Sequence, residues 1–194
     1  MTKENNFLAY IYLFLTVTFW AGNFVVGKLA SFYEVPPFSL NFYRWLFAWL
    51  ILVPFTIPEI LEKRKYIIKN YKLFIILGVT SITIFNSIVY YSLNFTQVIS
   101  GVLMISTIPV MIMLFSSILN IEKTNIFQII GVVFSFAGVI MIITKANFEI
   151  LKNLDFNKGD ITMVIAMFSW ALYSTLLKGK QYELTQISLL QVVI

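Results

Sequence analysis

Lys28 and Arg44 stand inside long apolar runs, and an ionised group in a lipid-solvated stretch is the first place to look for chemistry. A cation at mid-bilayer costs about 3 kcal/mol on insertion scales. Such a residue is kept for function, or it is an anchor whose stem reaches back to the polar interface. Both roles fit both residues, which lie toward one end of their runs. A functional Arg44 would attract a substrate carboxylate, or pair with Glu34 to hold an outer gate. No Asp or Glu falls deep in an apolar run; Glu34, Glu59, Glu122, Asp160 and the rest sit at ends or in connections. Carriers driven by protons keep an ionisable carboxylate or His in the membrane, so a facilitator or exchanger is the expectation here.

The uncharged polar residues at depth are the next candidates. Asn23 and Asn86 can each donate to and accept from an amino-acid-like ligand. Trp20, Tyr90, Trp170 and Tyr173 could wall the same cavity, although packing or an interfacial belt explains an aromatic equally well. The many Ser and Thr residues read as interhelical glue. Pro109 lacks a backbone N–H and is a hinge candidate, with a static bend as the alternative. Gly131, Ser135 and Gly138 share one helix face and are expected to admit a neighbouring helix closely. His and Cys are both absent, which removes thiol chemistry and the zinc and haem sites built on them. With no phosphate-cradling glycine loop and no nucleophile–base pair, no enzyme, cofactor or metal is expected.

These residues need elements to position them. Of 194 residues 59% are apolar and only 12% charged, and the apolar ones come in runs instead of stripes, which is the pattern of a chain solvated by lipid. A spanning helix needs roughly 20 apolar residues. Six such segments are predicted, over 7–30, 37–57, 71–93, 98–119, 126–144 and 161–177. A seventh begins near Leu184 and runs to Ile194, too short a stretch to cross. The first segment is too long for a cleavable signal and lacks a cleavage site, so it is expected to be retained. The net charge of +5 is concentrated at helix ends, which marks topology and not a nucleic-acid partner. Lys63, Arg64, Lys65, Lys69 and Lys72 form the densest basic cluster, with Lys123, Lys178 and Lys180 in later connections of the same parity. That cluster could bind anionic headgroups, but setting topology explains it without more. A cytoplasmic N-terminus follows.

One pattern is written twice. Trp20-Ala21 with Lys28 eight residues after the Trp reappears as Trp170-Ala171 with Lys178, 150 residues on. Tyr33-Glu34 with Ser39-Leu40 reappears as Tyr182-Glu183 with Ser188-Leu189. Five helices separate equivalent positions, and an odd number inverts the second copy. The predicted fold class is therefore an all-α integral membrane bundle of inverted five-helix repeats, the first complete and the second only begun.

The chain resembles the EamA-type members of the drug/metabolite transporter superfamily. The matching features are Trp20-Ala21-Gly22-Asn23-Phe24 with Lys28, and Phe42-Tyr43-Arg44-Trp45 with Ala48. Further along they are Pro109, Glu122 before Gln128 and Gly131, Gly138-Val139, and Gly159-Asp160 leading into Trp170-Ala171. The resemblance implies ten helices in two inverted repeats, a central cavity, and export or exchange of small metabolites, amino acids among them. Against that pattern the chain stops three helices short. The expected organisation is a first repeat over 1–146, an external loop over 147–160 and the start of a second repeat over 161–194. The expected setting is the cell membrane, with a metabolite and the lipid bilayer as partners and the number of copies open. The alternative from a different class is a non-transporting membrane scaffold, or a fragment that needs a partner.

Overall fold

The computed structural model describes residues 3–122, 125–143, 149 and 158–194. Among the described residues the regular structure is all helical. Two long helices open the chain, α1 (Lys3–Phe32) and α2 (Pro37–Glu62). The turn between them follows from local chemistry. Glu34 takes a left-handed φ of 55°, Val35 N–H donates to the Ala30 carbonyl at 2.9 Å, and Glu34 N–H donates to Ser31. This is the Schellman closure of a helix end. Pro37, whose missing N–H is no loss at a helix start, then opens α2.

After the short α3 (Arg64–Lys69), the third predicted span appears as one rod over Tyr71–Ser92, built of α4 (Tyr71–Gly78), a π-helical stretch over Val79–Asn86, and α5 (Ser87–Ser92). The π stretch was not foreseen. It turns backbone carbonyls away from their usual i+4 donors, and side chains take them up. Ser169 donates to the Thr80 carbonyl at 2.7 Å, Asn86 to Ser81 at 2.8 Å, and Asn41 to Ile82 at 2.9 Å. Irregular backbone at membrane depth persists only when it is satisfied in this way.

The fourth predicted span is divided. α6 (Val98–Ile105) ends at a turn over Ser106–Thr107, and α7 (Ile108–Ile118) begins beyond it. Pro109 is therefore not in the middle of a continuous helix but at the second position of α7. The cause lies in its ring: a continued helix would need a Pro109 N–H for the Ile105 carbonyl and would drive the ring into that carbonyl. α8 (Ile126–Ile143), α9 (Lys158–Lys178) and α10 (Gln186–Val193) complete the described helices. The predicted loop over 147–160 lies largely outside the described residues, and α9 already begins at Lys158.

Four described helices are long and apolar enough to cross a membrane: Phe7–Phe32, Pro37–Glu62, Tyr71–Ser92 and Lys158–Lys178. α9 is the hub, packed against α7, the π stretch and α5. Its Met163, Met167 and Ala171 form a core with Phe24, Phe85 and Tyr90. A second cluster joins Phe74, Leu77 and Ile82 to Leu184 and Val193, seating α10 against α2 and α4. Gly78 lets that seat close, because a Cβ there would stand 2.5 Å from the Val193 carbonyl oxygen. The small-residue face of α8 is different from expectation. A Cβ at Gly131 or Gly138 would meet open space, so no described helix packs closely there.

Polar links mark the two ends of the bundle. At one end Lys28 donates to the Leu93 and Thr96 carbonyls at 2.7 and 3.0 Å, and Thr96 donates to Asp160 at 2.8 Å. At the other, Lys178 pairs with Glu122 at 2.7 Å and Lys180 donates to Asn70 at 2.7 Å. The last turn of α1 and the first turn of α9 therefore share an end, and the two helices run antiparallel.

Candidate functional site

Between α1, α2, the π stretch and α9 lies a cavity of about 320 Å³. Its walls include Trp20 and Asn23 from α1, Arg44 and Trp45 from α2, Asn86 from the π stretch, and Trp170 and Tyr173 from α9. Tyr90, almost fully buried, is bonded to this wall from α5. Residues singled out in four separate runs of sequence thus come together around one space.

Hydrogen bonds order the site, and their directions are fixed by chemistry. Arg44 can only donate, and its Nη1 donates to the Asn86 Oδ1 at 3.1 Å and to the Tyr90 hydroxyl oxygen. Tyr90 must then give its own proton elsewhere, and it donates to Asn23 Oδ1 at 2.6 Å. Asn23 is thereby obliged to present its carbonyl to Tyr90 and leaves its amide NH2 over. Asn86, holding its Oδ1 toward Arg44, turns its Nδ2 to the Ser81 carbonyl, which fixes the direction of its amide. Each amide orientation follows from the cation at the head of the chain of bonds.

Arg44 also lies against two aromatic faces, with its guanidinium carbon 5.0 Å from the Trp45 ring and 5.9 Å from that of Tyr90. Among the described ion pairs none joins it to Glu34, whose backbone closes the α1–α2 turn. Nor does it reach outward as an anchor would: Asn86 lies seven residues, about 10 Å, further along the third span than Leu93, where Lys28 is bound. Lys28 has the anchoring geometry instead. Its ammonium caps carbonyls at the C-terminal end of α5, where a cation also meets the helix dipole favourably, and it sits 5.4 Å from the Phe32 ring. Pro109 stands apart, in a groove between α7 and α8.

The aromatic members form a stack. Trp20 and Trp170, the two tryptophans of the written-twice pattern, have ring centroids 6.0 Å apart. Trp170 also meets Phe85 at 4.5 Å and Tyr173 at 5.1 Å.

Three contributors escaped the sequence reading. Asn41, buried on α2, donates to the Ile82 carbonyl and to the Ser87 Oγ; its place three residues before Arg44, on the same helix face, was the available signal. Gly27 lets Tyr90 approach, since a Cβ would lie 2.7 Å from the Tyr90 ring. Glu59 receives the Thr185 N–H at 2.7 Å, the Thr185 hydroxyl at 2.6 Å and the Ser188 hydroxyl, holding the start of α10. No local pattern announces a bond across 126 residues.

Comparison with known proteins bears on the family. Over 167 residues the chain is 28% identical to an uncharacterized transporter, YyaM, of Bacillus subtilis, covering 86% of this chain and 54% of that protein. Over 174 residues it is 28% identical to an uncharacterized transporter of Archaeoglobus fulgidus, covering 88% and 57% respectively. The chain spans about half the length of the curated relatives it matches. No solved structure matches. Residues 7–144 match the EamA-like transporter family, and the chain belongs to that family.

Proposed function

We propose that the protein carries a small organic metabolite, such as an amino acid, across the cell membrane, as an exporter or exchanger working by alternating access. The cavity bounded by Trp20, Asn23, Arg44, Asn86, Trp170 and Tyr173 is its binding site. The observation that carries this reading is the contact between Trp20 and Trp170 on antiparallel helices that share a sequence pattern. Two elements built alike and set upside down give a device that can open to either side, with the solute held at their seam. The orientation we propose puts the N-terminus and the basic α2–α4 connection in the cytoplasm, supported by the gathering of Lys178 and Lys180 at that same end.

Reconstitution into proteoliposomes, using the protein as its gene encodes it, tests the reading. Uptake or counterflow of radiolabelled amino acids and organic acids is expected, with Trp170→Ala lowering the rate at least several-fold. A protein that inserts and stays monodisperse yet moves no solute in either format would refute it and favour a non-transporting scaffold.

A further inference from the structure

We infer that the cavity recognises the carboxylate of its solute through Arg44 and offers no anionic partner to an ammonium, so that organic acids are bound in preference to amino acids and amines. This rests on the carrier reading above and narrows it to a chemical class. The groups left over after the internal hydrogen bonds are counted carry the argument. Arg44 uses only Nη1 in its bonds to Asn86 and Tyr90, which leaves the N–H groups of Nη2 and Nε. Asn23, its carbonyl committed to Tyr90, keeps both amide hydrogens. All of these are donors, and all belong to residues that wall one space.

The charges point the same way. Arg44 is the one charged side chain lining the cavity among the described residues, and its neighbours there are neutral. Arg44 is exposed along part of its length, and a guanidinium without a counter-ion among the described residues attracts an anion, its planar fork matching a carboxylate in bidentate geometry. The remaining acceptors, hydroxyl oxygens and the second lone pairs of the Asn23 and Asn86 carbonyls, are all neutral, so none supplies the negative charge an ammonium would pair with. Beyond the donors lies the indole and phenol wall of Trp20, Trp170 and Tyr173, fit for a flat or apolar body.

Three matched probes separate the possibilities: 3-phenylpropionate, which carries only the carboxylate, phenylalanine, which carries both groups, and phenethylamine, which carries only the amine. Thermal-shift titration and calorimetry on the purified full protein in detergent should rank them in that order. Arg44→Gln should weaken 3-phenylpropionate about ten- to a hundred-fold, as loss of a charge-assisted hydrogen bond implies, with Arg44→Lys intermediate. Asn23→Asp is the complementary variant. It still accepts from Tyr90, yet it removes two donors and adds a negative charge, so the preference should shift toward phenethylamine. Dihexanoylphosphatidylglycerol, a soluble anionic lipid, is the fourth probe. If it binds more tightly than 3-phenylpropionate in an Arg44-dependent manner, the site serves a headgroup and the inference falls. Equal or better binding of phenethylamine to the unmodified protein overturns it as well, and so does no binding of any phenyl probe. Flux in proteoliposomes would then leave the carrier reading standing, whereas loss of both binding and flux would remove the two together.

Discussion

Tyr90 joins a cation to an amide through a single oxygen, accepting from Arg44 and donating to Asn23. Tyr90→Phe keeps the packing and removes both bonds. Interhelical hydrogen bonds in membranes are worth about 0.6 kcal/mol each. A loss of roughly 1 kcal/mol is therefore expected in denaturant unfolding in bicelles. The larger effect should be on binding, since Asn23 is then free to turn its amide. Lys28→Met retains the stem and withdraws the ammonium from Leu93 and Thr96. It should cost about 1 kcal/mol in the same assay while leaving solute affinity unchanged, which separates an anchor from a binding residue. At this scale the sequence was readable where a residue was chemically out of place: an arginine or an asparagine in an apolar run announces itself. It could not disclose which partner each one takes. Arg44 had Glu34 as a plausible counter-ion on charge alone, and only the third dimension put Asn86 and Tyr90 closer.

Helix boundaries followed the same logic with different success. Apolar runs of sufficient length and the Pro36-Pro37 turn placed α1, α2 and α9 closely, because length and hydropathy are additive properties of a segment. The π stretch and the α6–α7 break are not additive. The first depends on Ser169, Asn86 and Asn41 arriving to satisfy three carbonyls, two of those side chains from other helices. Asn41→Leu strands the Ile82 carbonyl in an apolar setting and should destabilise the protein by about 1–3 kcal/mol, with hydrogen exchange rising first in residues 79–86. The break follows from Pro109 acting on the residue four positions earlier. Pro109→Ala restores a donor for Ile105, and spin labels at Ile99 and Ile118 should report a longer, narrower distance distribution. An unchanged distribution would assign the break to packing against α9 instead of to the proline ring.

For the molecule as a whole, the consequential geometry is the antiparallel course of α1 and α9, with Lys28 and Lys178 at opposite ends of the bundle. The chain has no native cysteine, so single cysteines at positions 28 and 178 can be introduced without background. Membrane-impermeant maleimide should label them from opposite sides of a sealed vesicle; labelling from the same side would end the inverted-pair reading. The order of the motifs was legible because the pattern is repeated, and repetition survives in one dimension. What the two tryptophans do with it was not, since contact across 150 positions is a property of packing.

The grip of Glu59 on Thr185 and Ser188 bears on how the protein is made. The first backbone N–H groups of any helix lack partners within it, those at the start of α10 included. Its first turn is organised by a carboxylate that left the ribosome 126 residues earlier. The opening hairpin of α1 and α2 thus supplies, from chain made early, the acceptor that the start of α10 uses. The early chain in this way fixes where the late helix begins.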